Sequence, residues 1–220
     1  MPQKTIILVR HGQTDNSKPP PDRLGNGLTP RGVTQAELTG RRLAPLPVTA
    51  IRHSTARRAE ETARAIASYF PQAPVEADPL LLECIPAYPQ PFIDWYSHLS
   101  TEQQLSDDLD TPSGMAFWLN LWQTRVPWSV MQDEIAQAEA AFAKYFTPPG
   151  GRDECQIIVC HGNIIRYLML RVLQAPPELW LNADIQNCGT CEIVIRDGGK
   201  MQLISFNDTG HLPQDMRIFF

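Results

Sequence analysis

Two histidines in the sequence each follow a short apolar run, and each is followed by glycine. The first run, residues 5–9, leads into Arg10-His11-Gly12, and the second, residues 156–160, leads into His161-Gly162. Such runs are typical of strands buried on both faces, and ligands bind at the carboxyl ends of such strands in open α/β sheets. A neutral imidazole can attack an electrophile, and an adjacent arginine can hold an anion by two parallel hydrogen bonds. The pattern indicates a site for an anionic electrophile.

A lone Arg-His-Gly is more often a structural histidine beside a surface arginine, so the rest of the chain must decide. Arg58 lies on the first turns of a predicted helix with an alanine-rich apolar face, and it points away from the core. His161-Gly162 begins another helix, where unpaired N–H groups and the helix dipole favour an anion. Glu83 follows an apolar run in an acidic stretch. Two histidines, two arginines and one carboxylate suit phosphoryl transfer through a phosphohistidine.

Helices and strands alternate along most of the chain and would position these residues. Thr29 is a predicted N-cap followed by proline at the first helical position, and Ser129 with Gln132 forms a capping box. Predicted helices span residues 29–43, 55–70, 129–145 and 163–173, and two late strands span 191–195 and 201–205. This order predicts an α/β fold: a three-layer α/β/α sandwich with a mostly parallel central sheet.

The segment from about residue 71 to 127 breaks this alternation. It contains seven prolines before residue 127 and most of the aromatic side chains, with a predicted short helix at 115–122. We interpret it as a Pro- and aromatic-rich lid inserted over the strand ends. Residues 1–220 are therefore expected to form one domain.

Charge is segregated along the chain. Residues 1–64 carry 11 Lys and Arg against 5 Asp and Glu, whereas residues 65–124 carry none against 8. The aromatic residues lie in the acidic part, which argues against nucleic acid as a partner. No apolar stretch of about 18 residues indicates a membrane span. Trp118 and Trp122 suit a lid core or an interface equally well, which leaves a homo-oligomer open.

The five cysteines are odd in number and lie mostly in apolar runs. This usage is typical of reduced thiols, and the start of the chain is too polar for a signal peptide. We therefore expect a cytoplasmic protein. The five histidines show no metal-ligand spacing, so we expect neither a metal nor a cofactor, and activity that survives a chelator.

Four motifs together resemble the histidine phosphatase superfamily, also called phosphoglycerate-mutase-like. They are Leu8-Val9-Arg10-His11-Gly12, Leu28-Thr29-Pro30-Arg31-Gly32 with Gln35-Ala36, His53-Ser54-Thr55 through Arg58-Ala59-Glu60-Glu61-Thr62, and Val159-Cys160-His161-Gly162-Asn163. They extend over most of the chain. Within the family, residues 28–43, 80–83, 160–173 and 208–213 are similar to its protein serine/threonine phosphatases.

The resemblance implies roles for particular residues. His11 would be the phosphorylated nucleophile, and Arg10, Arg58, His161 and the helix start at Gly162 would bind the phosphoryl oxygens. Glu83 would protonate the leaving group and then activate water. Many family members have Asn seven residues after the first arginine, whereas this chain has Ser17 there, with Asn16 adjacent. Ser17 is the candidate replacement as a phosphate ligand.

Three other functions stay open. A phosphoglycerate mutase would share these residues but would need cations after the general acid, and no Lys or Arg occurs from residue 65 to 124. Cys160 and Arg166 form a C-x5-R string typical of cysteine-dependent phosphatases, although Ile164-Ile165 favour helix over a phosphate loop. A non-catalytic phosphate-binding module is the third.

We expect a phosphorylated small molecule or phosphopeptide as substrate. We also expect His11→Ala to abolish activity and Cys160→Ser to keep most of it.

Overall fold

The computed structural model describes residues 1–15, 25–84 and 132–217. Its strands form one sheet in the order β3-β2-β4-β1-β5-β6. They are β1 (Gln3–Arg10), β2 (Ala50–His53), β3 (Val75–Ala77), β4 (Glu154–Cys160), β5 (Thr190–Arg196) and β6 (Met201–Asp208). The pairs from β3 to β1 are parallel, and β5 runs antiparallel to both neighbours. The mostly parallel sheet is confirmed.

Helices cover both faces of this sheet. Within the described part of the chain they are α1 (Pro30–Leu43), α2 (Arg57–Ala67), α3 (Gln132–Tyr145) and α4 (Gly162–Leu173). Successive strand residues point to opposite faces, so Ile7 joins one core and Leu8 the other. Ile7 shares a buried cluster with Ile66 of α2, whereas Leu8 shares one with Leu168 of α4. The predicted three-layer α/β/α sandwich is confirmed.

The helix ends follow from local chemistry. The Thr29 hydroxyl accepts a hydrogen bond from the Gly32 N–H at 3.0 Å, so α1 begins as predicted. Helix α2 is shorter than the predicted 55–70. Its first turn is delayed because Ala56 has extended backbone angles and donates its N–H to the Ser54 hydroxyl at 3.2 Å. Helix α4 ends at Gln174, which adopts a left-handed conformation with φ 54°.

Two strands were not predicted from the sequence. β2 has four residues, and β3 has three residues that are all exposed, so neither carries a usable apolar pattern. Tertiary pairing creates both, because β2 lies between β4 and β3 in the sheet. β2 matters for the site, since it leads directly into Ser54 and then into α2.

Several predictions lie outside the described residues. They are Ser17 with Asn16, the capping residue Ser129, the helix at 115–122 and residues 85–127 of the lid. These predictions, and the single domain over residues 1–220, stay predictions. No disulfide joins any of the five cysteines. In the described ranges, no helix has both the length and the apolar character needed to cross a membrane.

Candidate active site

The two predicted histidines lie side by side because β1 and β4 are adjacent and parallel. Arg10 is paired in register with Cys160, so the residues that follow them leave the sheet together. The His11 N–H donates to the Cys160 carbonyl at 3.0 Å. The rings of His11 and His161 have their centroids 5.2 Å apart at an interplanar angle of 64°. Strand register thus explains how residues 150 positions apart form one site.

The hydrogen bonds of His11 fix its tautomer. Its Nδ1 lies 2.8 Å from the Gly12 carbonyl, which can only accept, so Nδ1 carries the proton. Its Nε2 accepts from Nε of Arg58 at 3.1 Å and therefore presents a lone pair. Burial, reinforced by the charges of Arg58 and Arg10, lowers the pKa of His11 to about 3. His11 is a neutral imidazole with a buried nucleophilic nitrogen at physiological pH.

Arg58 joins the two histidines. Its Nη2 lies 3.1 Å from Nδ1 of His161, and because a guanidinium only donates, that Nδ1 is the acceptor. The proton of His161 therefore sits on Nε2, which donates to the hydroxyl of Ser54 at 2.7 Å. Burial, together with the charge interactions of His11 and Arg58, lowers the pKa of His161 well below its usual value. The result is a hydrogen-bonded chain from Ser54 through His161 and Arg58 to His11.

Arg10 provides a second cation beside the histidines. Its Nη1 donates to the Ile185 carbonyl at 2.6 Å, which anchors the guanidinium to the segment before β5. Burial lowers the pKa of Arg10 to about 10, and the nearby Asp184 opposes this shift. Arg10 thus stays charged at neutral pH, and its Nε would lie 3.5 Å from a Cβ placed on Gly162. Arg10 and the first residue of α4 therefore border the same space.

Glu83 is held at the amino end of α4. Its Oε2 accepts from the Asn163 N–H and its Oε1 from the Ile164 N–H, each at 3.0 Å. Burial raises the pKa of Glu83, while these two hydrogen bonds, followed by the charges of Arg10 and Arg58, act in the opposite direction. The helix start that was predicted to favour an anion binds this carboxylate. A partly buried carboxyl with a raised pKa is suited to general acid chemistry.

Backbone contacts hold the Arg10-His11-Gly12 turn in place. The Gly12 N–H donates to the Thr62 hydroxyl at 3.0 Å, and the Asn187 side-chain amide donates to the His11 carbonyl at 2.9 Å. A Cβ on Gly12 would lie 2.5 Å from the Gly32 carbonyl oxygen. Glycine is therefore required at position 12, because α1 begins so close to the turn.

The structure joins His11, Arg58 and His161 by direct hydrogen bonds. It also places Glu83 close enough to shift the pKa of Arg58, and Arg10 close enough to shift the pKa of His161. Cys160 is fully buried, and burial raises the pKa of its thiol well above the usual value, which opposes the thiolate that a nucleophile requires. The role of Ser54 was not anticipated. The motif His53-Ser54-Thr55 was the available signal, but nothing in it indicates contact with residue 161.

Comparisons with known proteins agree with the family resemblance of the sequence motifs. The profile of the histidine phosphatase superfamily (branch 1) matches residues 6–209. Mouse (Mus musculus) serine/threonine-protein phosphatase PGAM5, mitochondrial, is 34% identical over 217 residues, covering 96% of this chain and 64% of the relative. The chain thus spans about two thirds of the length of the curated relatives it matches.

Solved structures agree on the fold. A phosphoglycerate mutase from Plasmodium falciparum is 29% identical, covers 100% of both chains and gives a TM-score of 0.59. A phosphoserine phosphatase from Entamoeba histolytica, solved in complex with 3-phosphoglyceric acid, is 22% identical and gives a TM-score of 0.63. That alignment covers 96% of this chain and 100% of that one.

The expected cytoplasmic location is wrong by these comparisons. The curated relatives from frog, mouse, nematode and human are all named as mitochondrial, which points away from the cytoplasm. The expectation came from the odd number of cysteines, most of them in apolar runs, and from the polar start of the chain. Cysteines outside disulfides do not distinguish one reducing compartment from another.

Proposed function

The chain belongs to the histidine phosphatase superfamily, and we propose that it hydrolyses phosphomonoesters through a phosphohistidine on His11. The observation that supports this most is the state of His11: neutral, fixed in one tautomer, with its Nε2 lone pair directed at Arg58. One ring nitrogen is held by a backbone carbonyl, and the other accepts from the guanidinium of Arg58, a cation that an incoming phosphoryl group can engage instead.

In the first step, Nε2 of His11 attacks phosphorus, and the bond from phosphorus to the ester oxygen breaks. Glu83 transfers its proton to the departing oxygen, so the alcohol leaves neutral and the phosphoryl group stays on Nε2. Arg10 and Arg58 bind the phosphoryl oxygens and stabilise the charge that builds on them, and each donor contributes about 3 kcal/mol. In the second step, Glu83 takes a proton from water, the water oxygen attacks phosphorus, and the N–P bond breaks.

Substrate binding must rearrange the bonds of Arg58. In the unliganded site its N–H groups point to Nε2 of His11 and Nδ1 of His161, each at 3.1 Å. Phosphoryl oxygens are stronger acceptors than these ring nitrogens, because they carry charge. Once they take over the N–H groups of Arg58, the lone pair of His11 is released for attack. The negative charge of the phosphoryl group favours protonation of His161 on Nδ1, and that N–H can then donate to a phosphoryl oxygen. We propose Gly162 and Ser17 as further phosphate ligands.

We propose phosphopeptides or other monophosphates without a second anionic group as substrates. The stretch of residues 65–124, which carries Glu83, contains no Lys or Arg to bind a second phosphate or a carboxylate. The relatives named as serine/threonine-protein phosphatases support the same class. The similarity to a phosphoglycerate mutase favours mutase-type phosphoryl transfer as the second candidate.

Variants of His11 and Cys160 test the mechanism. His11→Ala should abolish phosphatase activity, whereas Cys160→Ala, which keeps an apolar side chain in the core, should retain most of it. Quenching the wild-type reaction in denaturant and alkali should trap an acid-labile phosphoryl group on His11. Activity that survives His11→Ala and is lost with Cys160→Ala would refute the assignment.

A substrate panel tests the second part of the proposal. Phosphopeptides and aryl phosphates should be hydrolysed with a higher kcat/KM than 2,3-bisphosphoglycerate. The opposite ranking, or isomerisation of 3-phosphoglycerate, would favour the mutase. Binding of phosphate without any turnover would indicate a non-catalytic module.

A further inference from the structure

Helix α3 holds the short segment that delivers Glu83 to the site. The side-chain nitrogen of Gln137 donates to two backbone carbonyls of that segment, to Leu80 at 3.2 Å and to Leu82 at 3.0 Å. Leu82 immediately precedes Glu83. We propose that Gln137 is a positioning residue that aims the carboxyl of Glu83 for proton transfer to the leaving group. This inference rests on the proposed function and adds to it a residue outside the reacting groups.

The segment needs such a contact because its own helix is too short to fix it. Residues 79–81 form a single 3₁₀ turn, and Leu82 already has extended backbone angles (φ −59°, ψ 152°). The last carbonyls of a helical turn have no partners within the turn and require outside donors. The two N–H bonds of one amide group supply both donors here. Gln137 therefore closes the turn at the point where the chain leaves it for Glu83.

A second contact from α3 fixes the other end of the turn. The Asp78 carboxylate caps the turn by accepting from the Leu80 N–H at 2.9 Å, and its other oxygen accepts from Lys144 at 2.6 Å and from the Tyr145 hydroxyl. Asp78 is also buried. Gln137 and Tyr145 lie about two turns apart on α3, so the helix grips both ends of the segment.

The hydrogen bonds from Gln137 to the backbone matter most when Glu83 is protonated. The N–H groups of Asn163 and Ile164 bind both carboxyl oxygens of Glu83, an arrangement that suits the carboxylate. The acid form must direct one oxygen, now an O–H donor, at the leaving group, and at least one of these bonds weakens. The contacts of Gln137 are made to the main chain and do not depend on the charge of Glu83. They hold the acid in position when the carboxyl's own bonds hold it least.

This role can be separated from general stabilisation by the leaving group. Protonation by Glu83 matters for an alkoxide such as that of serine and matters little for p-nitrophenolate, which departs readily as an anion. Gln137→Met keeps side-chain length and helix propensity but removes both donors. Misplacing a catalytic group by about 1 Å costs up to about 100-fold. We expect kcat/KM for a phosphoserine peptide to fall about tenfold or more, and kcat/KM for p-nitrophenyl phosphate to change by less than about threefold.

Three further variants make the result unambiguous. Glu83→Gln removes the proton donor and should show the same selective loss to a greater degree. Glu139→Gln weakens the contacts of α3 with Tyr167 and Arg171 of α4 without touching the segment at 78–82, so it should affect both substrates alike. Asp78→Asn loosens the other end of the segment and should reproduce the selectivity if Gln137→Met folds poorly.

Each outcome decides between the two proposals. Suppose that Glu83→Gln lowers kcat/KM mainly for the phosphoserine peptide, whereas neither Gln137→Met nor Asp78→Asn does so. The positioning role of α3 is then refuted, while the proposed function stands. Equal losses on both substrates for Gln137→Met refute it in the same way. If Glu83→Gln itself lowers kcat/KM equally for both substrates, Glu83 is not the general acid, and both proposals fail at that step. If the wild type hydrolyses neither substrate, the proposed function fails.

Discussion

Replacing Ser54 by alanine removes the acceptor that fixes the tautomer of His161. The Ser54 side chain is fully buried, and its oxygen accepts from Nε2–H of His161 at 2.7 Å. A methyl group there leaves the Nε2–H of His161 unsatisfied, which costs about 1–3 kcal/mol, and it also removes the acceptor of the Ala56 N–H. For a chain of this length that cost corresponds to a fall in Tm of about 2–4 °C per kcal/mol.

The imidazole cannot avoid this cost by moving its proton. With the proton on Nδ1, His161 would direct N–H at Nη2 of Arg58, another donor 3.1 Å away. Either tautomer leaves a buried donor without an acceptor, and Arg58 loses the position from which it meets Nε2 of His11. Because each 1.4 kcal/mol in a barrier is a factor of about ten in rate, kcat/KM should fall about 5- to 150-fold.

The assay compares urea unfolding, Tm and kcat/KM of Ser54→Ala with those of the wild type. Ser68→Ala is the matched control, because the hydroxyl of that serine is exposed and donates only to the Ala65 carbonyl at the end of α2. The control should change the unfolding free energy by less than about 0.5 kcal/mol. If Ser54→Ala behaves like the control in stability and activity, His161 Nε2–H has another acceptor and the tautomer argument is wrong.

Three further outcomes follow from the same site. Gly12→Ala places a Cβ 2.5 Å from the Gly32 carbonyl oxygen, so it should lower the free energy of unfolding by about 1–3 kcal/mol and remove most activity. Gly198→Ala is the control, because a Cβ there has nothing within 4 Å, and it should leave both Tm and kcat/KM unchanged. Because the pKa of His11 is lowered to about 3, its contribution to the free energy of unfolding should be complete above about pH 6.5 and fall by up to about 1.4 kcal/mol per pH unit between about pH 6.5 and 3. In urea titrations at several pH values, His11→Asn should reduce the pH slope, and an unchanged slope contradicts the burial argument. Activity should survive EDTA, since Arg10 and Arg58 supply the positive charge that the proposed mechanism needs at the phosphoryl oxygens; full loss that added metal restores would contradict this.

The pairing of the two histidines could be predicted because it depends on local signals. Two buried runs of the same composition end in His-Gly, and parallel strands in one sheet deliver their carboxyl ends to the same edge. The register that pairs Arg10 with Cys160 then places His11 beside His161. Helix α1 was predictable for a similar reason, since its N-cap and its apolar spacing are both local.

Contacts between distant segments could not be predicted. Nothing near Ser54 identifies residue 161 as its partner, and nothing near Gln137 indicates that it binds carbonyls 55 and 57 positions away. β2 and β3 are set by pairing and not by composition, so their positions follow only from the assembled sheet. The sequence therefore identified residues that the structure brings together, but it did not identify the residues that hold them in place.

The charges of the site link substrate binding to the proton that the reaction needs. In the structure, Arg10 and Arg58 are cations, His11 is neutral and Glu83 is the partly buried carboxyl. A phosphomonoester dianion brings two negative charges into this space, so an ionised Glu83 would leave a net negative, desolvated cluster. Like charges raise the pKa of a carboxyl, and the dianion also draws the N–H groups of Arg58 away from His11. Under the proposed mechanism, binding of the substrate thus favours the protonated form of Glu83 and the free Nε2 of His11 together, which are the two states that its first chemical step requires.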